Sequence, residues 1–410
     1  MHEPAHTSKS KWIAIKLTLF ISLGLAAAIG GVYFAGRSGS DPEVYGNDFN
    51  VYYHASREVI AGRDPYQNSI SEWTPYLYPP LLVELLIPLA LLPLTLAAYI
   101  WFLISAFSVI ATGAMCARMI PESRAPRWFV AAGAMIIVFR FVFDNFNLGQ
   151  VNAIVTALAV AHVFLYVRGK RFWSALAFAI AVSIKLTPAI LLVYHIAKLR
   201  MRYAIACIVL VGAITALSFL PMGTSAPIAF SEFANRTLRN EQGYNLADSG
   251  NQSLRGALAR LTTTVTDETR DNSRIVLSGS TALLSIAFLA AAVWGATRAR
   301  DEMSAVAPFF CCAVLLSPLS WKAHFIILIL PLAQLSSAIL NAPRTRRRLI
   351  AATLVAAFVL FNLTSPSVIG LGAAEWSDAH SLVFAGGLLV FIASVGTALM
   401  QKFGKQPGVC

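Results

Sequence analysis

Apolar runs of 18 or more residues recur from one end of the chain to the other, for example at 12–34, 94–117 and 382–400. As a helix, each is long enough to cross roughly 30 Å of hydrocarbon. Inside lipid, only helices and closed barrels satisfy every backbone polar group. The composition agrees, since 57% of the 410 residues are hydrophobic and only 13% are charged, against roughly 25% charged in soluble domains. The reading is an all-α polytopic membrane protein, a single integral membrane domain over 1–410.

A net charge of +12 invites a nucleic-acid reading, but the basic residues lie in short clusters between apolar runs. Placing Lys9/Lys11/Lys16, Arg118/Arg124/Arg127, Arg168/Lys170/Arg171, Lys198/Arg200/Arg202, Arg298/Arg300, Arg344/Arg346/Arg347/Arg348 and Lys402/Lys405 on the cytoplasmic side accounts for 20 of the 32 Lys and Arg. Only four of the 20 acids, Glu3, Glu122, Asp301 and Glu302, go with them. This is the positive-inside pattern, so the charge is assigned to topology and no nucleic-acid partner is expected. A multi-pass protein of the plasma (cytoplasmic) membrane with both termini cytoplasmic follows. Its first apolar run is longer than the 7 to 15 residues of a signal-peptide core, and it reads as a retained anchor. Cys116, Cys207, Cys311, Cys312 and Cys410 fall in spans or near cytoplasmic ends, with neither disulfide nor metal spacing.

On this topology the clusters define about 12 transmembrane helices, at roughly 12–34, 95–118, 128–143, 150–168, 173–186, 187–198, 203–221, 275–297, 303–318, 324–341, 349–365 and 381–400. The fifth and sixth are too short to span alone, and the junction Lys185-Leu186-Thr187-Pro188 predicts a broken hairpin of the kind tolerated where it lines a protein cavity. Two extracytoplasmic loops are long, 35–80 and 222–274. The stretch 81–92 is apolar but short and carries Glu84, so it reads as an interfacial or re-entrant helix.

The unusual polar residues gather on the outer side: Asp48, Arg57 and Arg63; residues 144–150 with Asn152; Lys185; 251–255; and 317–324. Ionisable groups at membrane depth are functional candidates. A carboxylate beside several cations suits a reaction at a phosphate-bearing lipid, where the carboxylate takes a proton from an attacking hydroxyl and the cations neutralise a departing phosphate. A retaining glycosidase would instead need two carboxylates about 5 Å apart. Asp144 is the second candidate for the base, followed by Glu84 and Asp64.

Each feature also has a plainer reading. Asp48 suits an N-cap, Lys185 and Arg140 suit snorkelling to the headgroups, and Asp144 and Asn145 suit a loop or cap. His324 suits an interface anchor, and Tyr52, Tyr53, Tyr66, Trp73, Tyr76 and Tyr78 suit an aromatic belt. Asn235, Asn251 and Asn362 each open a glycosylation acceptor triplet, a pattern short enough to arise by chance.

Seven motifs occur in order: Asp48-Phe49-x-Val51-Tyr52-Tyr53, Ala61-Gly62-Arg63-Asp64-Pro65-Tyr66, Tyr78-Pro79-Pro80, Gly149-Gln150-Val151-Asn152, Ile184-Lys185-Leu186-Thr187-Pro188, Asn251-Gln252-Ser253, and Ser317-Pro318-Leu319-Ser320-Trp321 with His324. Together they resemble glycosyltransferase family 87, over about residues 46–330. The resemblance implies a GT-C-type bundle with external juxtamembrane helices. It further implies a polyprenyl-phosphate sugar donor, mannose or in some members an arabinofuranosyl unit, and a glycan or glycolipid acceptor at the extracytoplasmic face.

In such enzymes the first external loop carries the catalytic acid, which makes Asp48 the general base by resemblance. From their chemistry Lys185, Arg255 and Lys322 are candidates for the phosphate, and Gln150, Asn152 and His324 for the sugar or acceptor. Asn251 joins the substrate-binding candidates. Where many relatives carry an acidic pair, this chain has Asn47-Asp48, so a reaction without metal or other cofactor is expected. The implied chemistry is inverting displacement, a β-linked lipid donor giving an α-linked product, with a 1,2 linkage suggested by the family. The competing readings are a lipid or solute transporter or flippase, and a polysaccharide polymerase or ligase using a diphospholipid. Transporters tend to place charge at the midplane and to show repeats; here charge lies at one face and no repeat is visible.

Overall fold

The computed structural model describes residues 24, 28–38, 48–66, 76–121, 126–235, 246–262 and 270–401. Glu3, Lys9, Lys11, Lys16, Asn47, Trp73, Glu122, Arg124, Lys402, Lys405 and Cys410 lie outside them, as does most of the predicted anchor. The described residues form helices joined by turns and contain no strand.

Local chemistry sets many of the boundaries. Pro80, Pro93, Pro126 and Pro343 immediately precede helices Leu81–Ala90, Leu94–Met119, Arg127–Ile137 and Arg344–Phe358, where a missing N–H costs nothing. Asp301 caps Glu302–Leu315 by accepting from the Ser304 amide at 2.8 Å. Helix Arg171–Ile184 stops where it must, because the ring of Pro188 would meet the Ile184 carbonyl four residues back. Lys185 turns extended at that point (φ −151, ψ 128), and the chain resumes as a 3-10 turn, Thr187–Ile190, and helix Leu191–Ala197. The predicted broken hairpin is present.

Among the described residues, four helices are long and apolar enough to cross a membrane: Leu94–Met119, Val276–Arg298, Lys322–Leu340 and Leu382–Met400. A fifth span results if Arg127–Ile137 and Phe139–Leu148, bent by 64° at Val138, count as one. The expected count of about 12 is therefore not reached among the described residues. Asn152–Val167, Arg171–Ile184, Thr187–Ala197, Met201–Leu217 and Glu302–Leu315 are apolar but shorter, at 10–17 residues, and only Met201–Leu217 reaches the roughly 17 that a straight span needs. Hydropathy saw apolar length and could not see where kinks and 3-10 turns shorten it. The protein is an integral membrane protein all the same: Leu283, Ile286 and Trp294 on the Arg270–Arg298 helix are exposed apolar groups of the kind lipid covers.

Two apolar clusters hold the described helices together. The larger unites Glu302–Leu315, Ile329–Asn341 and Leu382–Met400 with parts of the Arg127–Ile137 and Asn152–Val167 helices. The smaller packs the Asp48–Ile60 helix on Leu81–Ala90 and against Trp101, Phe102, Val151, Val155 and Ile184. The four described cysteines, Cys116, Cys207, Cys311 and Cys312, are buried free thiols.

Candidate active site

The Asp48–Ile60 helix is amphipathic, and its apolar face fixes where Asp48 stands. Phe49 stacks on Trp101 with ring centroids 5.6 Å apart. Tyr53 donates to the Leu92 carbonyl at 2.8 Å and Ser56 to that of Val83 at 2.9 Å, so the helix is pinned to the Leu81–Ala90 segment along its length. Asp48 lies in the first turn of the described helix, where a carboxylate favours the helix dipole.

Gly149 brings the second piece of chain against that first turn. It ends helix Phe139–Leu148 in the left-handed conformation (φ 63), which glycine adopts without strain. A Cβ there would stand 2.7 Å from both the Phe49 Cβ and the Phe34 ring. Trp101 Nε1 donates to its carbonyl at 2.9 Å. Only a glycine lets the backbone pass this close, and the next residue, Gln150, then reaches the carboxylate.

From Asp48 a hydrogen-bonded line crosses four segments of chain. Gln150 Nε2 donates to Asp48 Oδ2 at 2.5 Å, and Gln150 Oε1 accepts from Asn152 Nδ2 at 3.2 Å and from the Tyr78 hydroxyl at 3.3 Å. Asn152 Oδ1 accepts from Lys185 Nζ at 2.6 Å, and Lys185 Nζ lies 3.0 Å from His324 Nε2. An ammonium only donates, so His324 Nε2 is the acceptor there. The same ammonium sits 5.4 Å from the centre of the Tyr78 ring. A cavity of about 20 Å³ adjoins Asn152, Lys185 and His324, with Thr156 and Thr187 in its wall; it has the room of about one water.

Burial pushes the Asp48 carboxyl up to about 6, against the opposing pull of the Lys185 charge and the Gln150 hydrogen bond. Such a group is ionised at neutral pH and holds a proton far better than an ordinary aspartate.

Five of the eight residues singled out from the sequence, Asp48, Gln150, Asn152, Lys185 and His324, thus meet in one line. Asn251, Arg255 and Lys322 stand outside it. The Asn251 amide is occupied by backbone, donating to the Leu246 and Pro318 carbonyls at 3.1 and 3.2 Å and accepting from the Ser253 and Ser320 amides at 3.3 and 3.0 Å. It clamps the 251–253 motif to the 317–320 motif. Lys322 is paired with Asp378. Arg255 is half-buried on helix Leu254–Thr262 and has no hydrogen bond or ion pair among the described residues.

Several plainer readings change on contact with the structure. Arg140 does not snorkel; it is buried, donating to the Phe361 carbonyl at 3.2 Å and Thr364 Oγ1 at 3.0 Å. Asn145 is not a loop residue but buries its amide between the Phe141 and Ala323 carbonyls at 2.7 and 2.6 Å. Asn362 is likewise occupied, by the Ile137 and Phe358 carbonyls at 2.8 and 3.1 Å. Asp64 accepts from the Tyr66 amide at 2.9 Å, a turn-stabilising bond. Asp378 escaped the sequence reading; its one signal was a carboxylate between the last two predicted spans, on the outer side.

Long apolar helices define an integral membrane protein, and a hydrogen-bonded line from a carboxylate to a lysine ties four distant segments of it together. A family model of glycosyltransferase family 87 matches residues 76–320, more than half of the chain, and the chain belongs to that family: it is a glycosyltransferase.

Among curated relatives, the chain is similar to the polyprenol-phosphate-mannose-dependent alpha-(1-2)-phosphatidylinositol pentamannoside mannosyltransferases of two organisms. With that of Mycobacterium tuberculosis (strain CDC 1551 / Oshkosh) it is 28% identical over 258 residues, 62% of this chain and 57% of that protein. With that of Mycolicibacterium smegmatis it is 28% identical over 342 residues, 81% of this chain and 78% of that one. The chain thus spans little more than half the length of the first and over three quarters of the second. Among solved structures, ArnT from Cupriavidus metallidurans bound to undecaprenyl phosphate gives a TM-score of 0.47 at 12% identity, over 93% of this chain and 78% of that chain.

Proposed function

We propose that the enzyme moves mannose from a polyprenyl-phosphate donor to a hydroxyl of a glycolipid or glycan at the extracytoplasmic face of the plasma membrane, with inversion. One observation carries the reading: in a family 87 glycosyltransferase, a carboxylate poised to accept a proton and a lysine ammonium are tied through two amides, Gln150 and Asn152, at one site. The relatives' names supply the donor and the glycolipid class of acceptor.

In the proposed step the acceptor oxygen attacks the anomeric carbon from the face opposite the phosphate. The new C–O bond forms as the bond to the phosphate oxygen breaks, the hydroxyl proton passes to Asp48, and the polyprenyl phosphate departs with the bonding electrons. Asp48 acts as general base. Lys185, hydrogen-bonded to His324, offsets the charge building on the leaving phosphate. Gln150 and Asn152 hold base and cation in register. Arg255 is assigned to the phosphate or lipid side, since its guanidinium is uncommitted among the described residues. Asn251 and Lys322 support the site indirectly, through the loop that carries His324.

Purified protein in vesicles, given labelled polyprenyl-phosphate mannose and a lipid extract as acceptor, is expected to yield a labelled glycolipid with an α-linkage. Donor consumption without a labelled product, or no dependence on the polyprenyl donor, would sink the reading.

The orientation, with both termini and the 344–348 cluster in the cytoplasm, rests on the charge split. Arg63 and Thr345 are both exposed. In intact cells a cysteine at Arg63 should react with an impermeant thiol reagent and one at Thr345 should not; the reverse labelling would invert the topology.

A further inference from the structure

A second, larger cavity lies at the other end of the same helices. It measures about 170 Å³ and is lined by Asp301, Ser304, Gln334, Ser337, Arg346 and Gln401, among others. Helix Glu302–Leu315 has Ser304 in this cavity and Val314 in the wall of the small one beside Lys185. Ten residues of helix separate the two, about 15 Å. The stretch 322–342 repeats the relation, with His324 at one end and Ala338 at the other. The cavity therefore sits remote from Asp48, at the end that the positive-inside pattern assigns to the cytoplasm.

Its walls are polar and incompletely satisfied. Gln334 is 3% exposed; its Nε2 donates to Ser304 Oγ at 3.1 Å, and its Oε1 has no partner among the described residues. Arg346 Nη2 donates to the Thr397 carbonyl at 3.0 Å, while its Nε is buried without a partner among the described residues. Asp301 and Gln401 complete the rim, Gln401 Nε2 donating to Asp301 Oδ2 at 2.5 Å and to Ser304 Oγ at 2.9 Å. A buried carbonyl oxygen and a buried guanidinium N–H each cost free energy while unpaired, and here both border a space far larger than one water needs.

The two orphans ask for different things. Arg346 Nε needs an acceptor, best an anionic oxygen, while Gln334 Oε1 needs a donor, and Asp301 beside it would repel a bare anion. A ligand bearing a phosphate and free hydroxyls meets all three. Arg344, Arg347 and Arg348 stand exposed on the first turns of the same helix as Arg346, an arrangement that concentrates anionic lipid at a membrane surface. We propose that this cavity binds the headgroup of an anionic phospholipid with free hydroxyls, the phosphate on Arg346 and the hydroxyls on Gln334 and Asp301.

The test is thermal stabilisation of the purified full-length protein in zwitterionic detergent, titrated with dioctanoyl phosphatidylglycerol, dioctanoyl phosphatidylcholine or glycerol 3-phosphate. The glycerol lipid should stabilise and the choline lipid should not. Arg346→Gln should raise the half-maximal concentration roughly tenfold or more, the usual loss for a charge-assisted hydrogen bond, and Arg348→Gln should leave it unchanged. Ser337→Leu, which keeps every charge and fills the cavity from its wall, should weaken the response to the same degree as Arg346→Gln, so a folding defect in one variant leaves the other informative. Equal stabilisation by glycerol 3-phosphate supports the same site with a soluble phosphate ester as its ligand. No stabilisation by any probe overturns the proposal outright, and equal losses in Arg346→Gln and Arg348→Gln with none in Ser337→Leu overturn it in favour of diffuse charge attraction.

Discussion

Asp48→Asn is expected to lower sugar transfer by roughly 10²- to 10⁴-fold, the usual loss when a general base is removed, in a protein that still folds and inserts. Asn is nearly isosteric and keeps an oxygen to accept the Gln150 hydrogen bond. The packing that anchors the helix, Phe49 on Trp101 and Ser56 on the Val83 carbonyl, does not touch the substituted group. What is lost structurally is one favourable charge at a helix start, about 0.3–1 kcal/mol, and that is set against the relief of no longer burying a carboxylate. A purely structural Asp48 would therefore leave transfer nearly intact at matched expression, and that result would move attention to Asp144 and Glu84.

The same carboxylate fixes the acid side of the pH profile. With its pKa raised by burial to about 6, the protonated, inactive form dominates below that pH. The base is fully available above it. Transfer should thus fall about tenfold per pH unit below 6, and the residual activity of Asp48→Asn should lack that limb. A wild-type profile that is flat between pH 5 and 8 would exclude Asp48 as the base.

The sequence made the participants of this site visible but not most of their partners. Asp48, Gln150, Lys185 and His324 could each be singled out because a polar side chain in an apolar context is costly and needs a reason. Their placement on one side followed from the basic clusters alone. That Gln150 bonds Asp48 across 102 residues, or that Lys185 meets His324 across 139, depends on how helices pack, and no local pattern encodes it. The same limit explains Lys322. Read alone it was a free cation for a phosphate, and only the approach of Asp378 from the far end of the chain commits it. Asn251 failed differently: an amide in an outer loop looks like a ligand-binding group until its four bonds to backbone are seen.

A break was legible where a residue type enforces it: Pro188 announced the end of helix Arg171–Ile184. The tight passage at Gly149 shows only in the structure. The 64° bend at Val138 had no such marker. It falls where Arg140 and the Asn362 amide tie the two half-helices to the 361–364 turn, with the Arg140 amide donating to Asn362 Oδ1 at 3.1 Å. A tertiary contact holds that bend, and hydropathy counts the two halves as one span.

Lys185→Ala is expected to lower kcat/KM for the lipid donor by roughly 10²- to 10³-fold, the range for losing a group that stabilises developing negative charge. Lys185 also has a structural task, since its ammonium joins Asn152 to His324, and alanine removes charge and joint together. Lys185→Gln separates the two, because its amide can still hydrogen-bond to a neighbour but carries no charge. If charge is what matters, Gln is as poor as Ala; if the joint is what matters, Gln recovers most of the activity. A second readout moves only with the charge. The Lys185 ammonium holds the Asp48 pKa below where burial alone would put it, so both variants should shift the acid limb of the pH profile upward. Near-normal transfer by Lys185→Gln with an unmoved acid limb would reduce Lys185 to a positioning residue and leave the departing phosphate to Arg255.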